Sequence, residues 1–213
     1  MPDCEVCAGR GWVVAADGGN GLARRCGCRS GRPLAERLAA AGVWEEYLGC
    51  TRESWRGAWP EAQVGELGRG RHLCTIFGRV GSGKTHLATA ILGEWLAGGG
   101  RGLWREASTT VEEIKRAMAG GGGGDRLIDE LKAGGRLLVL DDLLTQQGTD
   151  WAEFLVSHVL RYRQGRQLAT VITVNVTDLV DLDKIEPRLS SRCGAGIVIS
   201  LGGGDRRTAR GAG

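Results

Sequence analysis

Residues 78–85 read Gly-Arg-Val-Gly-Ser-Gly-Lys-Thr, and this stretch decides the fold. It matches the pattern G-x-x-x-x-G-K-[ST] without a gap. Residues 72–77 before it form an apolar run predicted as a strand, and residues 84–97 after it repeat apolar positions with helical spacing. Because the pattern requires a strand before it and a helix after it, the sequence predicts a phosphate-binding loop (P-loop) rather than an ordinary glycine-rich turn.

Each residue type in the loop has a chemical role. Glycines let the backbone bend so that successive N–H groups point at phosphate oxygens, and the helix N-terminus adds a favourable dipole. We expect Lys84 to reach the β- and γ-phosphates, and the Thr85 hydroxyl to bind Mg²⁺. The predicted ATP-binding residues are Gly78, Gly81, Ser82, Gly83, Lys84 and Thr85.

Polar residues follow two further apolar strands. Residues 137–140 are all apolar, and Asp141 and Asp142 come directly after them. Asp141 is predicted to hold Mg²⁺ through water, and Asp142 to orient or deprotonate the attacking water. Asn175 ends another apolar run and is predicted to lie between the γ-phosphate and that water. Ligands bind at the carboxyl ends of parallel strands in open α/β sheets, so these side chains should share one site.

Strands and helices alternate along most of the chain. Strands are predicted at 72–77, 102–106, 136–140, 168–174 and 197–201, and helices at 84–97, 108–118, 125–133 and 150–164. Strands without polar alternation, separated by helices, indicate a parallel sheet covered on both faces. The predicted fold class is therefore α/β.

Four of the seven cysteines lie in the first 28 residues: Cys4, Cys7, Cys26 and Cys28. Two close pairs separated by a glycine-rich hairpin have the spacing of a zinc ribbon, with a redox pair or reduced thiols as the alternatives. The other three are predicted to fill the core: Cys50, Cys74 and Cys193. The predicted organisation is a zinc-binding module (1–31), a linker with short helices (32–59) and an ATPase core (60–213).

Composition excludes several classes of protein. The net charge of +3 is too small to imply a polyanion partner by itself. No stretch approaches the roughly 18 apolar residues of a membrane span, and the first twenty residues lack the pattern of a signal peptide. The expected location is therefore the cytoplasm, with no membrane partner.

These motifs together resemble the DnaC/DnaI/IstB branch of AAA+ ATPases over nearly the whole chain. The extended P-loop at 78–88 resembles that of the branch, and so does the acid pair at 141–142. The block at 161–163, followed by the run at 170–175, resembles its "RY … TIITSN" pattern, although Val174 replaces the usual serine. The resemblance implies an AAA+ core that hydrolyses ATP slowly and forms homo-oligomers on ATP binding.

The resemblance also assigns arginines. Arg188 and Arg192 match the branch's "R-x-x-x-R" box, in which one arginine acts as a finger on the neighbouring subunit's nucleotide. Arg192 is the preferred candidate and is placed after a helix. Residues 204–207 resemble the closing motif that supplies the second sensor, with Arg207 favoured over Arg206.

The N-terminal cysteines resemble the zinc-binding start of DnaI-like and phage DnaC-like loaders. The resemblance therefore implies a replicative helicase loader, with a hexameric DNA helicase and single-stranded DNA as partners and ATP, Mg²⁺ and Zn²⁺ as cofactors. One alternative is an IstB-like ATPase helper of a transposase, which shares every ATPase motif but normally lacks the zinc module. Another is a nucleotide-binding interaction module with little turnover. A P-loop kinase fits the Asn175 and Arg192 elements poorly.

Overall fold

The computed structural model describes residues 12–14, 23–25, 33–69, 71–120, 123–133, 136–143, 155–185 and 187–202. Outside these ranges lie the predicted site residues Cys4, Cys7, Cys26, Cys28, Arg206 and Arg207. Their roles stay predictions. None of the helices in the described ranges is both long and apolar enough to cross a membrane.

Two short strands lie near the N-terminus. Strands β1 (Trp12–Val14) and β2 (Ala23–Arg25) pair antiparallel, with Trp12 opposite Arg25. In the sequence, this pair falls between the two cysteine pairs. An antiparallel strand pair is therefore present where the sequence predicts a hairpin, while the four predicted zinc ligands lie outside the described residues.

A five-stranded parallel sheet forms the centre of the molecule and confirms the predicted α/β class. Its strands are β3 (Leu73–Gly78), β4 (Arg101–Glu106), β5 (Arg136–Asp141), β6 (Thr170–Val174) and β7 (Ile197–Leu201). Across the sheet the order is β4-β5-β6-β3-β7, and every neighbouring pair is parallel. Strand β6 thus separates the strand before the P-loop from the strand that ends in the acid pair. All these carboxyl ends share one edge of the sheet.

Helices cover both faces of the sheet. They are α1 (Leu34–Ala40), α2 (Glu61–Glu66), α3 (Lys84–Ala97), α4 (Ala107–Ala119), α5 (Gly124–Lys132), α6 (Arg161–Gly165), α7 (Leu179–Ile185) and α8 (Pro187–Ala195). Helix α3 buries Leu87 and Ile91 on one face, while Ile114, Leu131 and Leu189 from α4, α5 and α8 are buried on the other. Burying each such side chain contributes about 1.5–3 kcal/mol, so the two apolar layers account for much of the stability.

The helix predicted at 150–164 buries partly different side chains from those that its apolar spacing predicts. A π-helical stretch, Leu155–Leu160, runs directly into α6. Val159 is buried as its spacing predicts, but Tyr162 is 40% exposed and Arg163 is fully buried instead. A π turn holds more residues than an α turn, so the side chains after it are rotated away from the α-helical pattern.

The segment between residues 33 and 67 packs against α3 and the sheet. Leu38, Ala41 and Val43 are buried in the same apolar cluster as α3 and the sheet. Arg37 donates a hydrogen bond to the Leu96 carbonyl at the end of α3. The predicted division of the chain at residues 31 and 59 stays a prediction, but the described part of the linker is attached to the core by buried contacts.

Candidate nucleotide-binding site

The P-loop follows β3 directly, as the sequence predicts. Gly81 and Gly83 have φ angles of 79° and 95°, in the left-handed region that favours glycine. A Cβ at Gly78 would lie 2.6 Å from the Leu201 carbonyl oxygen, so only glycine fits where β3 passes β7. These three glycines therefore set the path of the loop.

Lys84 lies inside the loop. Its side chain is 6% exposed, and its Nζ donates hydrogen bonds to the carbonyls of Gly78 (2.9 Å) and Arg79 (3.0 Å). A buried ammonium held by neutral carbonyls is suited to a phosphate, because the anion would supply the charge that the loop lacks. Ser82 beside it has a buried hydroxyl with no hydrogen-bond partner among the described residues. The loop therefore fits a phosphate group.

Asp141 connects three elements. Its Oδ2 accepts a hydrogen bond from the Thr85 hydroxyl (2.9 Å), and its Oδ1 accepts one from the Thr173 hydroxyl (2.7 Å). The Thr173 hydroxyl in turn accepts a hydrogen bond from the Asp142 backbone N–H (2.8 Å). The structure thus brings the predicted Mg²⁺ residues, Thr85 and Asp141, together. A hydroxyl and a carboxylate are oxygen ligands of the type that Mg²⁺ binds.

Asp142 and Asn175 are also brought together, as the sequence predicts. The Asn175 side-chain amide donates a hydrogen bond to Asp142 Oδ1. Asp142 has a φ angle of 56°, an uncommon conformation for a residue with a side chain, and the Leu143 N–H donates to the Thr173 carbonyl (3.0 Å) just after it. Strand β6 therefore holds the Asp142 carboxylate at the edge of the sheet, beside the Mg²⁺ residues.

The two acids repel each other in the absence of a cation. Burial raises the pKa of the Asp141 carboxyl, although hydrogen bonds from Thr173 and Thr85 oppose the rise. Burial also raises the pKa of Asp142, and the negative charge of Asp141 raises it further. A divalent cation would offset both effects, because it stabilises the ionised carboxylates. The donor set therefore fits Mg²⁺.

A third carboxylate lies at the same edge and was not identified from the sequence. Glu106 ends β4 opposite Asp141, and its charge adds to the rise in the pKa of both aspartates. Its side chain caps α4 by accepting hydrogen bonds from the N–H groups of Ser108 (3.1 Å) and Thr109 (2.7 Å). These bonds lower the pKa of Glu106 despite its burial. An acid just before a helix is the signal that could have identified it.

The two candidate finger arginines lie within α8, whereas the resemblance predicts that Arg192 follows a helix. Helix α8 is anchored by Leu189 and Cys193, which are fully buried. Arg188 is exposed, and Arg192 is partly buried with an Nε that has no hydrogen-bond partner in the described ranges. Spacing of four residues puts both arginines on one face of the helix.

The same fold occurs in solved structures of replication proteins. A crystal structure of the DnaC helicase loader superposes with a TM-score of 0.64 and 22% sequence identity, covering 75% of this chain and 100% of that one. A crystal structure of DnaI gives a TM-score of 0.63 and 20% identity, covering 75% of this chain and 95% of that one. These similarities show that the chain shares the fold of these proteins, a five-stranded parallel sheet flanked by helices.

A third match has a bound nucleotide analogue. The AMPPCP-bound DnaA from Aquifex aeolicus has a TM-score of 0.63 and 22% identity, covering 78% of this chain. The chain spans about half the length of the first initiation proteins it matches, 49% of one and 53% of the other. The sequence itself matches no protein-family model and no curated protein.

Proposed function

We propose that this protein is an ATP-dependent helicase loader, which binds a replicative DNA helicase and assists its loading on single-stranded DNA. The observation that carries the proposal is the assembled site: the P-loop, Asp141, Asp142 and Asn175 meet at one edge of an AAA+ sheet. The match along the full length of the DnaC helicase loader supports the same function.

In this proposal the nucleotide site binds ATP and hydrolyses it slowly. Bound Mg²⁺ would neutralise charge between the β- and γ-phosphates. Lys84 would bind the same phosphates, and Thr85 and Asp141 would hold the ion. Asp142 would accept the proton of the attacking water or orient it, with Asn175 holding the carboxylate in place.

The N-terminal module is proposed to dock on the helicase. The β1–β2 pair supplies a hairpin between the two cysteine pairs. Ligation of one Zn²⁺ by Cys4, Cys7, Cys26 and Cys28 would make this small segment rigid, because a segment of about thirty residues has little core of its own. Metal analysis of protein purified without chelator should find about one zinc per chain. A value near zero, with these four thiols freely titratable, would contradict the zinc proposal.

The second function to consider is a nucleotide-binding module with little turnover. Asp142 is one methylene shorter than glutamate, and Asn175 already bonds its carboxylate. An ATPase assay with and without single-stranded DNA separates the two functions. A loader is expected to show a turnover that DNA changes and that Lys84→Ala abolishes. Turnover that is absent under every condition would favour the binding module.

The proposed division of labour is tested by cutting the chain where packing allows. Because residues 33–59 pack on α3, we place the cut before residue 33 rather than at residue 60. Residues 33–213 should keep nucleotide binding and lose the helicase, and residues 1–32 should bind the helicase with or without ATP. If residues 33–213 alone capture the helicase, the docking role of the zinc module is wrong.

A further inference from the structure

An exposed tyrosine between two cations lies on the side of the sheet away from the nucleotide site. The Tyr162 ring is 40% exposed. Lys132 Nζ lies 5.6 Å from its centroid, and Arg166 Cζ lies 5.4 Å from it. Lys132 precedes β5 and Arg166 precedes β6, so this cationic patch (Lys132, Tyr162 and Arg166) is near the amino ends of the strands. The acid pair is at the carboxyl ends.

The patch carries positive charge that the described residues do not neutralise. Neither Lys132 nor Arg166 forms an ion pair with a carboxylate in the described part of the chain, and the neighbouring Arg161 forms none either. Residues 161–168 contain three arginines and no acid. An anionic partner would therefore meet no competing carboxylate from this segment.

A buried arginine, Arg163, connects the two chain segments that carry the patch. The Arg163 guanidinium is fully buried and donates to the carbonyls of Leu131 (2.9 Å) and Ala133 (3.1 Å), which flank Lys132. It also donates to Thr170 Oγ1 (2.9 Å) and the Ala169 carbonyl (2.8 Å) at the start of β6. The backbone that carries Lys132 is thus fixed relative to Tyr162, which lowers the entropy cost of ordering this surface when a ligand binds.

We propose that Lys132, Tyr162 and Arg166 form a contact surface for the phosphate backbone of single-stranded DNA. Cations that bind phosphates, together with an aromatic ring that packs on a base or sugar, are the combination that sequence-tolerant single-strand binding requires. The identity of the DNA as partner rests on the proposed function. Because the patch and the nucleotide site are at opposite edges of the sheet, DNA can occupy the patch without contacting bound ATP.

The test measures the anisotropy of labelled oligo-dT bound to the full chain, without nucleotide and over a range of salt concentrations. Each phosphate contact on a single strand contributes about 0.7 to the slope of log affinity against log salt. The variant Lys132→Ala/Arg166→Ala should bind more weakly, with a slope smaller by about 1.4. Tyr162→Leu should weaken binding without changing the slope.

The matched control is Arg69→Ala/Lys184→Ala, which removes the same charge from exposed positions outside the patch. It should keep the wild-type slope. The proposal is overturned if the patch variant keeps the wild-type slope, or if the control loses as much as the patch variant. The proposal is also overturned if the patch variant lowers the melting temperature but leaves DNA binding unchanged. The two cations would then only stabilise the C-terminal ends of their helices.

Polyglutamate serves as a model of an acidic protein partner, so a comparison of its affinity with that of oligo-dT distinguishes such a partner from DNA. The surface should bind oligo-dT more tightly than polyglutamate of equal charge, because a base or sugar can use the tyrosine ring. Tighter binding of polyglutamate would contradict the proposal. Failure of the proposed function would instead appear as absent ATP binding or absent helicase capture, and neither measurement involves this patch.

Discussion

At the scale of single residues, Asp142 combines an uncommon backbone conformation with a side chain bonded to Asn175. We predict that Asp142→Asn keeps ATP binding and slows hydrolysis by about 100-fold or more, the contribution expected of a general base. Lys84, Thr85 and Asp141 remain to hold the nucleotide and its metal. Equilibrium binding and single-turnover hydrolysis measure the two effects separately.

Two control variants accompany this experiment. Lys84→Ala should lose nucleotide binding itself, and Asp125→Asn, an exposed acid in the first turn of α5, should behave like the wild type. Hydrolysis at the wild-type rate in Asp142→Asn would show that the role given to Asp142 is wrong.

The buried thiols predict a loss of stability in alkali. Burial raises the pKa of Cys74 to about 12 and that of Cys193 to about 11, from an ordinary value of 9.0. Between pH 9 and pH 11 the unfolded chain has lost these protons and the folded chain still holds them. The free energy of unfolding therefore falls as pH rises, by up to about 1.4 kcal/mol per pH unit for each thiol.

Denaturant unfolding at pH 8, 9 and 10 measures this fall. The variant Cys74→Ala/Cys193→Ala should be less stable at pH 8 because of the cavities it creates, but its stability should fall less steeply with pH. An equal fall in the variant and the wild type would assign the alkaline loss to other groups.

The sequence alone predicts the residues of the P-loop, but it does not predict the hydrogen-bond network around them. The loop residues are contiguous, so their chemistry is visible without a fold. Thr173 and Glu106 lie beside Asp141 only because of the order and register of the strands. Thr173 donates its hydrogen bond to Asp141 because β6 lies beside β5, and Glu106 lies opposite Asp141 because β4 pairs with β5. Strand order depends on long-range packing, which no local pattern specifies.

At the scale of elements, α1 packs on α3 and the sheet, although the sequence predicts that it belongs to the linker. Leu38 is fully buried among residues of α3 and the sheet. Leu38→Ala should destabilise the nucleotide-binding core by about 2–5 kcal/mol, the usual cost of such a cavity. The control Glu36→Ala, at an exposed position on the same helix, should change stability by less than about 0.5 kcal/mol. If Leu38→Ala leaves the melting of the core unchanged, α1 does not pack as the structure describes.

Helix α8 carries the prediction about neighbouring subunits. If Arg192 acts on the nucleotide of the next subunit, Arg192→Ala and Lys84→Ala proteins should each be inactive alone. Mixing them should restore part of the ATPase activity, because one intact interface can form between the two variants. Arg188→Ala tests the alternative finger in the same assay. Absence of rescue at every mixing ratio would contradict a role between subunits for Arg192.

The helices show where periodicity misleads. Helix α3 has the bounds that the sequence predicts, and the ends of α4 and α5 differ from the prediction by one residue each. The helical segment at 155–165 does not follow its predicted apolar pattern, because its π-helical part shifts the buried position from Tyr162 to Arg163. Tyr162 therefore belongs to the surface and not to the core, and the spacing alone could not show this.

At the scale of the whole molecule, the proposed activities lie in three places. The carboxyl edge of the sheet would bind ATP, the amino edge would contact DNA, and the hairpin segment would dock the helicase. Residues 51–54 contact His86, one residue after Thr85, through the Ser54 hydroxyl (3.0 Å) and the Thr51 carbonyl (3.3 Å). The described part of the linker thus contacts the helix that the P-loop begins, which gives the nucleotide site a physical connection to the segment before the core.

The measurement that tests the helicase-loader proposal most directly is affinity capture of the full chain from its native host, with bound proteins identified by mass spectrometry. The proposal predicts that the replicative DNA helicase is captured with or without ATP, and that Lys84→Ala captures it equally. Deletion of residues 1–32 should abolish this capture while nucleotide binding persists. Capture of a transposase in place of the helicase, or of neither, would contradict the proposal.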